Sequence, residues 1–527
     1  MKRICILVLL LACAWPLSAQ NPVFRRNAEK IASALYYLES RYVDSLDMDK
    51  AIDGMLESLV RQLDPHSSYI PLDKVQTVQE PLEGSFEGVG IEYVMLADTL
   101  TIQSVIVGGP SEAVGLRPGD KIVTIDGEAV AGVGLGVDDL RKRLRGPKGT
   151  TVAVTALRDD RLLDFIIRRD TIPIESIDAA YQPEPGIVYI KLSRFSQNSA
   201  EEFLEALRKV TKVRPDGIIL DLRGNGGGYM HIASALANLF LAEGLEIVRM
   251  EGKSVERVDC SVDEGLYPEG PLVLLVDEDS ASASEILAGA LQDWDRAVIV
   301  GRRTFGKGLV QQQYPLTDGS EIRLTIARYH TPSGRMVQAP YEMGNRDAYF
   351  RQARERYAHG ESFSRDSIVL PDSLKFKTLR LGRTIYGGGG IMPDVFVPYD
   401  TTGINRYLLR AINGGRFSEY CYEYIDKHRS QFAAKDLPAF EKKWAQLEQR
   451  AFDGLVAYLA EKGIEPENEE ELKACTPMLK TRLKAMMARS LFGTTAYWQV
   501  INRQQDPEFQ EALRIVKNWS GDFPDLP

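Results

Sequence analysis

The N-terminal part of the chain carries apolar residues at helical spacing. Between residues 22 and 82 two such sets occur, the first with Ala28, Ile31, Leu35 and Leu38, the second with Ile52, Met55, Leu56 and Leu59. Residues three or four positions apart lie on one face of a helix, so each set describes an apolar stripe. The sequence therefore predicts an N-terminal helical segment over residues 22–82, interrupted by a proline turn at Asp64-Pro65-His66-Ser67.

A different pattern, short alternating strands, fills residues 83–169. Its entry is Gly88-Val89-Gly90-Ile91, its central turn is Gly115-Leu116-Arg117-Pro118-Gly119-Asp120, and a strand pair ends it. This order resembles a PDZ domain. Such domains bind a peptide C-terminus by adding a strand, and loop amides hold its carboxylate. The resemblance makes Gly88, Val89, Gly90 and Ile91 candidate substrate-binding residues; in the alternative interpretation the two glycines only serve a tight turn.

Apolar strands alternate with helices from residue 170 to residue 400. Strands are predicted at 186–190, 217–222, 271–276 and 297–300, with helices at 199–210, 232–240 and 284–293. Strands without polar positions indicate an α/β layer whose sheet is buried on both faces. A charged insert is predicted at 341–386, and residues 401–527 form a helical C-terminal extension. A lid, a dimer contact or a substrate-tethering surface are hypotheses for these two parts.

Composition narrows the class of function. The 527 residues are 44% hydrophobic and 26% charged, with a formal net charge of −10. These are globular values, and the negative charge argues against nucleic acid as a partner. The five cysteines and five histidines are scattered singly, so their spacing predicts neither a metal site nor a disulfide framework. No cofactor is predicted.

The first twenty residues resemble an export signal. Lys2 and Arg3 precede a short apolar run, and small residues stand before Gln20. This pattern predicts a signal peptide over residues 1–19 and a mature protein in the periplasm or cell envelope. In the alternative interpretation, lipoprotein processing leaves a lipid anchor at Cys13. No later apolar run is long enough to span a bilayer.

The first candidate for chemistry is the segment Asp279-Ser280-Ala281-Ser282-Ala283-Ser284-Glu285. It follows a predicted buried strand and opens a helix, where backbone N–H groups are free. A serine hydroxyl at such a junction can lie beside an oxyanion site. Serine is also the usual helix N-cap, so this segment alone leaves both interpretations open.

A nucleophilic serine needs a base, and the chain offers a lysine or a distant histidine. Thr304-Phe305-Gly306-Lys307-Gly308 follows another predicted strand. A lysine acts as a base only when burial lowers its pKa, and Phe305 could supply apolar cover. His231 and His330 are the alternatives. Gly224-Asn225-Gly226-Gly227-Gly228 is predicted to be a loop with exposed amides; a dinucleotide-binding fingerprint is disfavoured because Tyr229 occupies the place of its last glycine.

The order of these motifs resembles the carboxyl-terminal processing (tail-specific) proteases. The insert at 341–386 and the helical extension resemble the versions of this family found in Bacteroidetes-type bacteria. The matching motifs run from Asp64-Pro65-His66-Ser67 through the PDZ pattern to Tyr329-His330-Thr331-Pro332-Ser333-Gly334-Arg335 and Gly390-Ile391-Met392-Pro393-Asp394. The resemblance implies a ClpP/crotonase-like α/β protease core with an inserted PDZ domain. It also implies a serine endopeptidase that recognises protein C-termini.

The same resemblance assigns roles to individual residues. Ser282 is implied to be the nucleophile and Lys307 its general base, with Gln311, one helical turn further on, orienting the lysine. The oxyanion hole is implied to use backbone N–H groups of Ala283 and of Gly227 or Gly228. This loop departs from the family's pattern, because Gly226 stands where proline is frequent.

Two rival functions remain at this point. One is a catalytically inactive PDZ binding or scaffold protein, although such a protein would be expected to lose Ser282 or Lys307. The other is a Ser-His hydrolase that uses His231 or His330. The sequence leaves the physiological substrate and a homo-oligomeric state open.

Overall fold

The computed structural model describes residues 22–96, 98–432 and 434–527. Its helices α1 to α16 are, in chain order, Pro22–Arg41, Met48–Val60, Leu72–Glu83, Pro110–Ala113, Val137–Leu144, Ser199–Val210, Met230–Asn238, Ala283–Asp293, Arg346–Ala358, Arg406–Asn413, Arg416–Phe432, Leu437–Glu461, Glu469–Phe492, Thr494–Gln505, Pro507–Lys517 and Trp519–Asp522. Two 3₁₀ turns lie at Arg365–Ser367 and Asp372–Leu374. The predicted signal peptide and Cys13 lie outside the described residues and stay predictions.

The strands are more numerous than the helices. Strands β1 to β21 are Ser68–Ile70, Ser85–Gly88, Ile91–Leu96, Thr99–Val105, Lys121–Ile125, Glu128–Ala129, Thr151–Arg158, Arg161–Arg168, Asp170–Pro173, Ile177–Glu184, Ile187–Leu192, Gly217–Asp221, Glu246–Glu251, Glu256–Cys260, Leu272–Val276, Val298–Gly301, Leu309–Pro315, Glu321–His330, Lys375–Lys377, Thr384–Tyr386 and Val395–Phe396.

The predicted N-terminal helical segment forms three helices, α1, α2 and α3. Helix α1 has no buried residue, although its apolar residues have helical spacing. Strand β1, between α2 and α3, pairs antiparallel with β18, and this pairing attaches the segment to the rest of the molecule.

The predicted PDZ domain forms an antiparallel sheet of order β3-β4-β5-β7-β8, with the short β6 beside β5. Its core is a cluster that includes Leu100, Ile122, Leu140, Val154 and Ile167. Strands β2 and β9 enclose this sheet in sequence and pair antiparallel with each other, from Ser85 opposite Pro173 to Gly88 opposite Asp170. The chain therefore enters and leaves the domain through one two-stranded ribbon.

The central sheet has the order β10-β11-β12-β15-β16-β21. Strands β11 to β21 in that order are parallel and β10 is antiparallel. Helices α6, α7 and α8 cover one face, and α15 from the C-terminal extension covers the other. Because β12, β15 and β16 are parallel, the loops that follow them meet at one edge of the sheet, where α/β proteins bind their ligands.

A second sheet, of order β1-β18-β13-β14 with β17 paired to β18, lies beside this edge. The insert contributes α9 and the β19–β20 hairpin. Helices α10 to α14 of the C-terminal extension share a separate core that includes Phe440, Trp444, Leu455 and Leu483. None of the described helices combines the length and apolarity needed to cross a bilayer.

The predicted fold class is confirmed: an α/β core carries an inserted PDZ domain, an N-terminal helical segment and a C-terminal helical extension. The helix predicted at 199–210 has those bounds, and the other predicted core elements agree within a few residues. The predicted domain limits stay a prediction.

Candidate active site

Ser282 lies where strand β15 leads into helix α8, between the buried Ala281 and Ala283. Its backbone angles are φ 55° and ψ −111°, a left-handed φ that a residue with a Cβ rarely adopts. Such strain costs on the order of 1–3 kcal/mol and persists only where neighbouring contacts fix it. Ser282 lines a cavity of about 320 Å³. The turn therefore presents a hydroxyl-bearing residue at a cavity wall.

Glu285 supplies contacts that fix this turn. Its buried carboxylate accepts the backbone N–H of Ser282 (2.8 Å) and that of Lys307 (2.8 Å). It also accepts the N–H of Gly306 (2.7 Å) and the hydroxyl of Thr304 (2.6 Å). Burial raises the pKa of Glu285 to about 7. The four hydrogen-bond donors favour the ionised form and oppose this rise. One carboxylate thus ties the Ser282 turn to the Lys307 loop.

Two glycines shape the Lys307 loop. At Gly306, where φ is 93°, a Cβ would lie 3.0 Å from the backbone N of Gly390; at Gly308 it would lie 2.7 Å from that of Gln338. Side chains at either position would push the loop off the backbone behind it. The tight backbone therefore places Lys307 at the wall of the cavity that Ser282 lines.

The amine of Lys307 is held inside this cavity. Its Nζ donates to Oε1 of Gln311 at 3.1 Å. Burial, reinforced by the neighbouring charge of Arg323, lowers the pKa of Lys307 from 10.5 to about 8. Within the described ranges no hydrogen bond joins Lys307 to Ser282. At neutral pH the lysine is therefore near its titration point, the condition for a general base.

Gln311 reaches the lysine from a strand rather than from a helix. It lies on β17, where the pairing with β18 shifts register between Val310 and Gln311. Alternate residues of a strand share one face, and a bulge changes the direction of a side chain. The side-chain amide of Gln311 can therefore reach Lys307 without a helical turn between them. Gln311 therefore contacts Lys307 at the four-residue spacing that the family resemblance implied, but the segment between them is not helical.

Tyr329 contacts both the Ser282 turn and the Lys307 loop, and the sequence did not predict this role. Its fully buried hydroxyl donates to the backbone oxygen of Lys307 (2.7 Å) and lies 3.2 Å from that of Ser282. Tyr329 belongs to a motif used for the family resemblance, but that motif carried no assigned role. Like Glu285, Tyr329 contacts both the Ser282 turn and the Lys307 loop. These two side chains therefore fix the distance between the turn and the loop.

The glycine loop faces Ser282 at van der Waals distance. At Gly227, with φ 99°, a Cβ would lie 2.8 Å from the Cβ of Ser282 and 3.0 Å from the N of Ala283. The N–H of Gly227 donates to the side chain of Asn225 (2.9 Å), and that side chain donates to Leu192 O (2.9 Å). The Gly227 amide is therefore used within the loop.

Gly228 is packed against strand-like backbone on its other side. Its φ is 152°, and a Cβ would lie 2.1 Å from the carbonyl oxygen of Phe195. Among the residues that the structure describes, the N–H groups of Gly228 and Ala283 have no hydrogen-bond acceptor. Of the three predicted donors, these two are therefore free, whereas Gly227 is occupied.

The flanking serines hold the glycine loop in place. Ser280 donates its hydroxyl to Leu222 O (2.9 Å), and Ser284 donates its hydroxyl to Asn225 O (2.9 Å). Ser282 lies between them, is the N-cap of helix α8 and lines the cavity. The three serines of the motif therefore have different surroundings, and only the middle one is placed for chemistry.

The alternative bases lie elsewhere. Neither His231 nor His330 lines the cavity that contains Ser282; His330 contacts Gly334 O through Nδ1 at 3.2 Å. His66, from the N-terminal segment, packs against Tyr349 and Phe350. Burial, together with the charge of Lys307, lowers the pKa of His66 to about 3. The His66 side chain is therefore neutral, and it packs beside Lys307.

A second groove of about 310 Å³ lies in the PDZ domain, between β3 and α5. Val89, Gly90 and Ile91 line it; Gly88 adjoins it, and a Cβ at Gly88 would lie 3.1 Å from the Phe86 ring. Strand β3 is an edge strand, so its outer backbone groups face the groove. Arg145, whose guanidinium lies 4.6 Å from the Phe86 ring centre, also lines the groove and is paired with the buried carboxylate of Glu80.

Three family models match parts of the chain. They are described as peptidase family S41, over residues 186–342, PDZ domain, over residues 88–168, and a family of unknown function (DUF8443), over residues 407–493. The first therefore covers the glycine loop, the Ser282 turn and the Lys307 loop. The third lies within the C-terminal extension.

Named relatives and solved structures are similar to this chain. The carboxy-terminal processing protease CtpB of Bacillus subtilis (strain 168) is 34% identical over 333 residues, which are 62% of this chain and 68% of the relative. A carboxy-terminal-processing protease of Bartonella bacilliformis is 36% identical over 310 residues, 57% of this chain and 70% of the relative. The solved photosystem II D1 C-terminal processing protease aligns with a TM-score of 0.36 and 26% identity, over 70% of this chain and 86% of its own.

Proposed function

This chain belongs to the carboxy-terminal processing proteases of peptidase family S41, and we propose that it cleaves proteins with a Ser282–Lys307 dyad after its PDZ domain binds their C-terminus. The observation that carries the proposal is the shared cavity. It joins Ser282, on a strained turn, to a half-buried lysine whose pKa is lowered to about 8.

In the proposed reaction, neutral Lys307 removes the proton from the Ser282 hydroxyl as its oxygen attacks the substrate's carbonyl carbon. The C–N bond then breaks, the amine leaves with a proton from Lys307, and an acyl-Ser282 ester remains. Water hydrolyses the ester, again with Lys307 as base, and Ser282 is restored. Because Nζ now rests on Gln311, Gln311 orients the amine between these steps.

The oxyanion of the tetrahedral intermediate needs donors beside Ser282. The N–H groups of Gly228 and Ala283 are free and adjacent to it, so we assign the oxyanion hole to them. Gly227 shapes the hole rather than donating into it, because its N–H is held by Asn225.

Substrate recognition is proposed to follow the groove between β3 and α5. A peptide C-terminus can add a strand to the free edge of β3, with its last side chain among Val89, Ile91 and Leu144. These apolar neighbours favour an apolar terminal residue. The loop amides favour its carboxylate.

C-terminal recognition is tested with two versions of one unstructured substrate, one ending in a free carboxylate and one in an amide. We expect kcat/KM to be about 10–100-fold lower for the amide, since a hydrogen-bonded charged group is worth about 1.5–3 kcal/mol. Acetylating the N-terminus of the same substrate is the control and should leave kcat/KM unchanged. Equal cleavage of acid and amide would contradict recognition through the carboxylate.

A further inference from the structure

A cluster of buried charges lies behind the glycine loop. The guanidinium of Arg223, which begins that loop, donates to Asp221 at 2.7 Å. It also donates to both carboxylate oxygens of Asp506, at 2.8 and 2.7 Å, and to Glu508 at 3.0 Å. Only 12% of the Arg223 side chain is exposed. Two of its three carboxylates therefore come from the C-terminal extension, far away in sequence.

The same cluster reaches the other two loops of the site. Arg302 follows strand β16 and begins the loop that leads to Lys307; it donates to Glu278 at 2.9 Å. Glu278 lies on the loop that leads to Ser282. Arg302 also donates to Glu508. Glu508 thus joins the start of the glycine loop to the start of the Lys307 loop, and through Arg302 to the Ser282 loop.

Asp506 and Glu508 differ in the contacts that they make outside the charge cluster. Asp506 is the N-cap of α15 and accepts the N–H of Phe509 at 2.9 Å, so its removal would also weaken the helix. Glu508 lies in the first turn, and its partners keep other carboxylates without it: Arg223 keeps Asp221, and Arg302 keeps Glu278. Loss of Glu508 therefore leaves no buried arginine unpaired.

We propose that Glu508 is a positioning residue for peptide cleavage, through which the C-terminal extension holds the glycine loop and the Lys307 loop in register. The inference rests on the proposed Ser282–Lys307 mechanism. The Gly228 amide, the nucleophile and the base lie on three separate loops. Arg223 begins the first of these loops and Arg302 the third, and both pair with Glu508. An active-site displacement of about 1 Å can lower the rate on the order of 10²-fold, so this junction affects turnover more than stability.

The test compares full-length variants on an unstructured protein substrate. Glu508→Gln keeps the shape of the side chain but removes the charge that both arginines share. We expect kcat to fall about 10–100-fold while KM changes less than about twofold, because the cluster does not line the substrate cavity. Glu511→Gln, on the same helix and paired with Arg514 near the surface, is the matched control and should keep wild-type kcat.

A second variant separates positioning from stability. Val516 packs under the central sheet from the same helix and makes no contact with the charge cluster, so Val516→Ala should lower the melting temperature of the protein but leave kcat near wild type. The inference is overturned if Glu508→Gln keeps wild-type kcat, or if Val516→Ala lowers kcat as much as Glu508→Gln does. Ser282→Ala is measured alongside: if that variant cleaves at the wild-type rate, the proposed mechanism itself fails, whatever Glu508→Gln does.

Discussion

Replacing Lys307 by methionine is expected to lower kcat for peptide cleavage by about 10²–10⁴-fold, the usual contribution of general acid–base catalysis. Methionine fills similar space, so the loop that Glu285 and Tyr329 hold should persist. Lys307→Arg should be as inactive, because its guanidinium stays charged and cannot accept the Ser282 proton. Single-turnover cleavage of an unstructured protein measures both.

The pH dependence of the wild type belongs to the same prediction. The base must be neutral, and burial lowers the pKa of Lys307 to about 8. We therefore expect kcat/KM to rise about tenfold per pH unit below that value and to level off above it. Wild-type activity in Lys307→Met, or a profile governed by a group with a pKa near 6.5, would contradict the lysine and favour a histidine base.

Gly228→Ala is expected to lower kcat by at least about 10²–10³-fold, the loss seen when one oxyanion donor is removed. The new methyl would lie 2.1 Å from the carbonyl oxygen of Phe195, and φ at this position is 152°. Relief of the clash must shift the Gly228 amide from its place beside Ser282. KM should change far less than kcat, because the lost interaction belongs to the transition state.

Gly224→Ala is the matched control for this glycine. It lies in the same loop with φ 72°, but a Cβ there has no heavy atom within 4 Å. It therefore shares the backbone strain, about 1–2 kcal/mol, without the clash, and we expect it to lose stability but retain cleavage. If Gly228→Ala cleaves as well as Gly224→Ala, the oxyanion assignment is wrong.

The resemblance to a known family predicted that Ser282, Lys307 and the glycine loop share one site, and the strand pattern gives a physical reason for it. Ser282, Lys307 and the glycines stand directly after apolar strands, and strands alternating with helices imply a parallel sheet. In such a sheet the loops after neighbouring strands share one edge, so these motifs had to converge. The PDZ pattern was recognisable for a similar reason, since its glycines and turn stand at fixed places between short strands.

The contacts that hold the site together could not be predicted in this way. Glu285 has the spacing of a helix capping box with Ser282, and nothing local indicates that it also binds Thr304, Gly306 and Lys307. Gln311 was implied by the family resemblance to lie one helical turn beyond Lys307, but it lies on a bulged strand. Glu508 lies 285 positions from Arg223 in the sequence. Acidic residues are common in the first turn of a helix, so nothing in the sequence indicated that Glu508 contacts Arg223.

The same limit applies to the C-terminal extension as a whole. Its periodicity predicts helices, and most of them share their own core. Helix α15 instead packs under the central sheet, with Phe509, Ala512 and Ile515 buried there. The pattern of the core strands already required cover on both faces, but it did not say which helix would supply the second.

Cleavage of unstructured β-casein by the full-length protein, measured beside Ser282→Ala, tests the central claim most directly. Ser254→Ala, at an exposed serine, controls for substitution at a site away from the cavity. The account predicts that the wild type and Ser254→Ala cut the substrate at similar rates and that Ser282→Ala does not cut it. Cleavage by Ser282→Ala at the wild-type rate would show that another residue is the nucleophile.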